Sequence, residues 1–98
     1  MSATLTPASP APAAVTGTEA ERIGELRTAI DACDAELIEL VQRRLAISRE
    51  IGALRTASGG TRLSLSREKQ VLARFQDALG PVGAVLAMML LRQGRGRL

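Results

Sequence analysis

The chain has 98 residues and a net charge of +3, which suits one small domain, and with Phe75 as its only aromatic residue any core must be aliphatic. It contains no His or Tyr, and twelve of its thirteen basic residues are arginine, which does not exchange protons at neutral pH, so acid–base catalysis of the Ser-His-Asp kind is disfavoured. Cys33 is the only cysteine, which excludes an intrachain disulfide, and we expect it to be a small buried side chain in a reducing compartment.

Residues 1–17 are predicted to be a disordered tail, which leaves residues 18–98 as the domain. The segment carries no charge and contains three of the four prolines, so it offers little that could form a core. It lacks the basic start and the apolar run of about 7–15 residues that make a signal peptide. The longest apolar run, residues 84–91, is far shorter than the roughly 20 residues needed to span a bilayer. We therefore expect a cytoplasmic protein that does not contact a membrane.

The first predicted helix runs from Glu19 to Ala57. Thr18 and Glu21 match the Thr-x-x-Glu capping box that starts a helix, and no Gly-Gly pair follows until residues 59–60. The positions that follow alternate at spacings of three and four, the heptad pattern of helices that pack side by side. We call them the apolar seam: Ile23, Leu26, Ile30, Cys33, Leu37, Leu40, Arg44, Ile47, Ile51 and Leu54. A helix roughly 55–60 Å long cannot be covered by the rest of one small chain, which predicts a dimer with shared long helices.

Charge is distributed unevenly along the chain. Residues 1–42 contain two basic and seven acidic residues, whereas residues 43–98 contain eleven basic and three acidic ones. Two chains would pair best antiparallel, because charge complementarity favours acidic starts beside basic ends. The alternative is that the asymmetry only reflects solvated helix faces.

The second predicted helix follows a turn at residues 57–61, where Gly59 or Gly60 suits a helix end. Ser64 or Ser66 can cap it. It runs from about Leu65 to Leu79 and is expected to bury four side chains, those of Val71, Leu72, Phe75 and Leu79.

The third predicted helix starts at Pro81, after the break at Gly80, and runs to about Gln93, with Gly94 ending it. It is apolar nearly all round, so it should be buried; its large side chains are Val85, Leu86, Met88, Met89, Leu90 and Leu91. No strand pattern occurs. The predicted fold is therefore all-α, with three helices, one very long, in an intertwined homodimer.

Arg44 occupies a position of the apolar seam, and Arg27 and Arg55 flank the same face of the helix. Arginine suits bidentate binding of carboxylate or phosphate, so an anionic ligand is expected. Arg44 and Arg55 are about 16 Å apart along the helix axis, close enough for both to reach one small ligand. Arg27 and Arg44 are about 25 Å apart, which is too far on one chain. Arg27 could therefore join the site only from a partner chain. The alternative for Arg44 is a snorkelling side chain or one paired with a nearby Glu, although a buried guanidinium without a partner is costly.

Two other polar groups have competing interpretations. Arg67 and Glu68 open the second helix, where a carboxylate also stabilises the helix dipole.

The ending GRGRL, residues 94–98, could bind nucleic acid through its basic side chains, but it is short and has no aromatic residue on which bases could stack. We therefore expect no nucleic-acid partner.

Residues 23–98 resemble the all-helical (AroQ-type) chorismate mutases, and the small intracellular subgroup in particular. The resemblance is carried by LRTAIDACDAELIELVQRRLAISREIGALR and SREKQVL, with the short turn ASGGTR and the ending LLRQGRGRL. It implies an intertwined homodimer with two equivalent active sites and no cofactor or metal. The implied reaction is the Claisen rearrangement of chorismate to prephenate, in phenylalanine and tyrosine biosynthesis. That reaction suits the arginines, because the substrate is a dicarboxylate and no proton is transferred.

The resemblance also implies roles for individual residues. Arg44, and Arg27 of the partner subunit, would each bind a substrate carboxylate. Arg55 would face the ether oxygen. Arg67 would help to fix the substrate, and Glu68 would accept a hydrogen bond from its ring hydroxyl. The other implied substrate contacts are Ser64 and the apolar walls Ile51 and Val71.

Two features depart from larger members of the family. Ser64 stands where they have an Asp that also contacts the ring hydroxyl, and the short third helix offers no clear counterpart of their Gln at the ether oxygen. The small subgroup is expected to compensate by binding a DAHP synthase, which reshapes the C-terminal segment and raises activity. The residues implied in that contact are Gly94, Arg95, Gly96, Arg97 and Leu98. Two alternatives remain at this point, an isochorismate-pyruvate lyase on the same fold and a non-catalytic helical adaptor for an anionic partner.

Overall fold

The computed structural model describes residues 18–61 and 63–96, and within them the chain forms three helices and no strand. The helices are α1 (Glu19–Ala57), α2 (Leu65–Leu79) and α3 (Pro81–Arg95). The predicted all-α class is confirmed, and so are the bounds of α1 and α2. The described residues divide after Glu36 into two compact units, of which the second holds the rest of α1 together with α2 and α3. The predicted tail 1–17 lies outside the described residues, as do Arg62, Arg97 and Leu98.

The predicted capping box starts α1. The backbone N–H of Thr18 donates to Glu21 Oε1 over 2.7 Å, and the N–H of Glu21 donates to Thr18 Oγ1 over 3.0 Å. These two bonds satisfy donors that have no helical partner at a helix start. At the other end, Gly59 has φ +88° and the N–H of Gly60 donates to the carbonyl of Arg55 over 2.8 Å. The Gly-Gly pair therefore ends α1 as predicted.

The apolar seam is exposed in this chain. The exposed fractions of its eight aliphatic side chains range from 42% at Ile23 to 65% at Leu54. Cys33 is exposed as well, so the expectation that it is buried is wrong for the single chain. A long row of exposed apolar side chains is typical of a surface that binds another protein surface.

The core of the second unit consists of Val71 on α2 with Ala87 and Leu90 on α3, whose exposed fractions are 1%, 0% and 9%. Gly83 lets α3 approach α2 closely, because a Cβ at that position would lie 2.1 Å from the carbonyl oxygen of Phe75. The turn between the two helices is made by Gly80, with φ +76°, a conformation that favours glycine.

Much of the burial predicted for α2 and α3 is wrong for the single chain. Leu79 is 56% exposed, and three large side chains of α3 are 50–60% exposed, those of Val85, Met88 and Met89. Only one stripe of α3 is covered, and its members are spaced four, three and four residues apart: Gly83, Ala87, Leu90 and Gly94. A helix that is apolar all round therefore has a second apolar face here that the described residues do not cover.

The end of α3 also differs from the prediction. Gly94 does not stop the helix, which continues to Arg95 and is capped by Gly96, with φ +68° and its N–H donating to the carbonyl of Arg92 over 3.1 Å. Gly94 is instead buried against α1, since a Cβ there would lie 2.5 Å from Ser48 Oγ. It is a close-contact glycine and not a terminator.

The described residues contain no helix with both the length and the apolar character needed to cross a membrane.

Candidate active site

A pocket of about 270 Å³ lies in the second unit and is lined by residues of all three helices. The part of α1 after Leu40 contributes a stripe with spacings of three and four, which comprises Arg44, Ile47, Ser48, Ile51, Gly52 and Arg55. Ser64 and the face of α2 with Arg67, Glu68, Val71 and Arg74 form a second wall. The last turns of α3 close the pocket with Leu91, Gly94 and Arg95.

Arg44 lines this pocket as a half-buried side chain. Burial lowers the pKa of its guanidinium, and the charges of Arg67 and Arg74 lower the pKa further. Within residues 18–61 and 63–96 no ion pair joins Arg44 to a carboxylate. An anion in the pocket would offset both the burial and the repulsion, so the position of Arg44 favours a ligand with negative charge.

Arg55, in the last turn of α1, is held by the turn that follows it. Its Nε donates to the carbonyl of Thr61 over 2.7 Å, and one terminal nitrogen donates to the carbonyl of Leu63 over 3.5 Å. A guanidinium has five N–H donors, so these two contacts leave donors for a ligand while they fix the side chain. The turn between α1 and α2 therefore orients a cation in the pocket.

The start of α2 brings a hydroxyl and a buried wall to the same place. Ser64 occupies the predicted N-cap position, but its side chain makes no capping hydrogen bond, so its hydroxyl is not used by the helix. Val71, two turns further on, is the buried apolar wall. Arg67 is exposed and donates to Gln70 Oε1 over 3.4 Å, a weak contact that leaves its charge available.

Glu68 is the one carboxylate among the described residues that line the pocket, and it forms an ion pair with Arg95. The two side chains are about one-fifth exposed and join the first turn of α2 to the last turn of α3. The position of Glu68 in the first turn of α2 also agrees with the alternative of dipole stabilisation. The two roles are compatible.

The structure brings together the substrate contacts predicted within one chain: Arg44, Ile51, Arg55, Ser64, Arg67, Glu68 and Val71. Of the predicted C-terminal segment, Gly94 and Arg95 line the pocket, whereas Gly96 caps α3 and does not line it. Arg97 and Leu98 lie outside the described residues. Arg27, which was predicted to act only from a partner chain, is not among the residues that line the pocket.

Several pocket residues were missed in the sequence. Arg74 is the most important, and the signal for it was its spacing on α2, since it follows Val71 by three residues and Arg67 by seven. Ser48 and Gly52 follow Arg44 at intervals of four on α1. Leu91 precedes Arg95 by four residues on α3. Ile47 was identified only as a member of the apolar seam.

The chemistry of this pocket is electrostatic. Five guanidiniums and one carboxylate surround it, together with aliphatic walls and two serines. Such a set can hold a small molecule with two negative groups and stabilise negative charge that develops during a reaction. It suits a reaction that needs positioning of its substrate and no proton transfer.

Comparison with known proteins agrees with this geometry. The sequence profile of the family described as chorismate mutase type II matches residues 26–85. The chain belongs to this family of chorismate mutases. The predicted family, fold class and enzymatic activity, that of an isomerase, are thereby confirmed.

Individual chorismate mutases are closely similar. A protein from Mycolicibacterium smegmatis called intracellular chorismate mutase is 58% identical over 76 residues, which are 78% of this chain and 73% of that protein. The intracellular chorismate mutase of Mycobacterium tuberculosis strain H37Rv is 55% identical over 76 residues, 78% of this chain and 71% of its own length.

A solved structure is similar in fold, with a TM-score of 0.76 and 42% identity over 80% of this chain and 94% of the other. It is described as a non-covalent complex of DAHP synthase and chorismate mutase from Corynebacterium glutamicum with a bound transition state analog.

Proposed function

We propose that the pocket of the second unit is the active site in which this chorismate mutase rearranges chorismate to prephenate, in the cytoplasm and for phenylalanine and tyrosine biosynthesis. The observation that carries the proposal is the convergence of Arg44, Arg55 and Arg67 with a single carboxylate, Glu68, on one pocket. Chorismate carries two carboxylates, an ether oxygen and a ring hydroxyl, so Arg44, Arg55 and Glu68 each have a chemically matched group on the substrate.

The proposed mechanism uses position and charge. The reaction is intramolecular, so the enzyme has to select the folded conformer in which the side chain lies over the ring. Arg44 binds a carboxylate, and Arg67 helps to fix the substrate. Arg55 faces the ether oxygen, where negative charge develops as the bond breaks, and therefore stabilises the transition state more than the substrate.

The other wall of the pocket orients the ring. Glu68 accepts a hydrogen bond from the ring hydroxyl, and the hydroxyl of Ser64, which makes no capping bond to α2, lies in the same pocket. Ile51 and Val71 supply the apolar walls against which the ring packs. Aliphatic walls exclude water from the reacting atoms, which strengthens the electrostatic interactions inside.

A second chain is part of the proposal. Two antiparallel copies would cover the exposed apolar seam, and Arg27 of the partner subunit would bind the second carboxylate. The exposure of the seam and the absence of Arg27 from the pocket of its own chain support this arrangement.

A DAHP synthase is the proposed partner of the dimer. A similar chorismate mutase from Corynebacterium glutamicum has a structure described as a complex with that enzyme. The contact is proposed to involve residues 94–98. Of these, Gly94 and Arg95 line the pocket, so a partner that moved this segment would alter the active site.

The test is a chorismate assay with variants. Arg55→Ala should lower kcat by about 10²–10³, the effect of removing one donor to a developing oxyanion, and Arg44→Ala should also abolish turnover. Arg43→Ala is the matched control, because Arg43 is adjacent, exposed and outside the pocket. Unchanged turnover in both Arg44→Ala and Arg55→Ala would contradict the proposed site.

The products and the partner distinguish the alternatives. Release of pyruvate from isochorismate in place of prephenate from chorismate would identify a lyase. No turnover of chorismate, with or without an added DAHP synthase, would favour the non-catalytic adaptor.

A further inference from the structure

We infer that Arg95 is a positioning residue, which holds the Glu68 carboxylate in place for the substrate hydroxyl and away from the arginines that bind the substrate. The inference rests on the proposed function of the pocket. It assigns a defined role in substrate binding to a residue that the sequence analysis placed in the segment that contacts a partner protein.

The first support is the geometry of the pair. One terminal nitrogen of Arg95 donates to Glu68 Oε2, and both side chains are about four-fifths buried. The bond connects α3 to α2 across 27 residues of sequence and lies in the pocket wall. A carboxylate offers about four acceptor positions, so the pair leaves room on Glu68 for a hydrogen bond from a ligand.

The second support is the charge that faces Glu68. Arg44 and Arg55 face the pocket from α1, and Arg67 and Arg74 face it from α2, while among residues 18–61 and 63–96 no other carboxylate lines it. A glutamate without a fixed partner would pair with one of these four guanidiniums. It would then occupy donors that a dicarboxylate substrate needs. Pairing with Arg95 prevents this competition.

The third support is the rigid placement of Arg95 itself. The residue before it, Gly94, is buried against Ser48, with room for no Cβ. The residue after it, Gly96, ends α3 with a hydrogen bond from its N–H to the carbonyl of Arg92. The backbone of Arg95 is therefore fixed on both sides, as a residue that orients another side chain requires.

The experiment is a double-mutant cycle on the full chain, with KM and kcat for chorismate measured for wild type, Arg95→Gln, Glu68→Gln and the double variant. We expect Arg95→Gln to raise KM about tenfold, the effect of losing one charge-assisted hydrogen bond, with a smaller change in kcat. The reason is that a released Glu68 competes with the substrate for the arginines. In the Glu68→Gln background the same substitution should change KM by less than about threefold, because a neutral amide does not compete.

Two further variants separate this role from a structural one. Arg95→Lys keeps the charge and should restore KM to near the wild-type value. Arg92→Gln is the matched control, since Arg92 lies in the same helical turn, is exposed and does not line the pocket. It should leave both kinetic constants unchanged.

Additive effects of Arg95→Gln and Glu68→Gln would overturn the inference, and so would a KM for Arg95→Lys as high as that for Arg95→Gln. A lower KM in Arg95→Gln would also overturn it, because it would mean that the pair obstructs the substrate. A wild-type chain without mutase activity would refute the proposed function itself, whereas an active wild type with additive variants refutes only the role of Arg95.

Discussion

Arg74 shows how one exposed side chain can act on a pocket through its charge. It lines the pocket, and after burial its charge and that of Arg67 are the further causes that lower the pKa of Arg44. The same repulsion becomes attraction when an anion binds among the three guanidiniums. Arg74 should therefore contribute to substrate binding without contact with the reacting bond.

The corresponding variant is Arg74→Gln. We expect KM for chorismate to rise about three- to fivefold at low ionic strength, with kcat little changed, and the difference to shrink as salt screens the exposed charge. Steady-state kinetics across a salt series measures this. Lys69→Gln, on the exposed part of the same helix and outside the pocket, is the control. Equal KM values for Arg74→Gln and wild type at low salt would contradict the prediction.

Residues of the pocket could be predicted from the sequence where their positions along a single helix were enough to identify them. Arg44 was identified because it interrupts the apolar seam, and Arg55 because it follows at a helical spacing on the same face. Arg74 and Ser48 were not identified, because their place in the pocket depends on which faces of α1 and α2 turn toward each other. That choice is made by packing between helices, so the helical spacing of Arg74 and Ser48 does not by itself separate them from residues that face solvent.

At the scale of the helices, the pocket depends on the close contact of α3 with α1 at Gly94. A Cβ on residue 94 would lie 2.5 Å from Ser48 Oγ and 2.9 Å from Ser48 Cβ, so Gly94→Ala must push α3 away from α1. The position is buried in the interior of α3, and overpacking of this kind typically costs about 1–3 kcal/mol. Because the shift would also move Arg95, activity should fall together with stability.

The rescue of Gly94→Ala tests that explanation. Replacing Ser48 by Gly removes both atoms that the new methyl group would meet, so the double variant Ser48→Gly, Gly94→Ala should regain part of the lost stability. Thermal unfolding followed by circular dichroism, with kcat/KM measured in parallel, reports both effects. A Gly94→Ala variant as stable as wild type would show that the two helices can separate at no cost.

The helices themselves were largely predictable, and the errors have a common physical origin. The capping box and the Gly-Gly pair set the ends of α1 because these signals act within a few residues. The sequence predicts a helix end at Gly94 because glycine is common at helix ends, whereas in the structure Gly94 serves a contact between helices that are far apart in sequence. Leu79 and Met89 were predicted to be buried for a similar reason. Their apolar side chains indicate burial, but the sequence of one helix does not say which surface covers them.

At the scale of the whole molecule, the exposed apolar seam is the strongest argument for a second chain. Eight aliphatic side chains of the seam are at least 42% exposed. Fully burying a side chain that starts exposed contributes about 1.5–3 kcal/mol. Because these eight are about half exposed, a partner that covered all of them would gain on the order of 10 kcal/mol to set against the cost of association. The acidic first part and basic second part of the sequence favour an antiparallel copy as that partner.

The dimer and the origin of Arg27 can be tested in one experiment with two inactive variants. If Arg27 of one subunit completes the pocket that holds Arg44 of the other, Arg27→Ala and Arg44→Ala each inactivate both sites of a homodimer. Mixing the two variants, with unfolding and refolding to exchange chains, creates mixed dimers in which one site has both arginines intact. Half of randomly paired dimers are mixed, and in each mixed dimer one of the two equivalent sites is intact. About a quarter of the wild-type turnover should therefore return.

A mixture of Arg44→Ala and Arg55→Ala is the control, because both substitutions lie in the pocket of one chain and no pairing restores that pocket. Recovery in that control, or none in the first mixture despite dimers by light scattering, would show that Arg27 does not act across the interface.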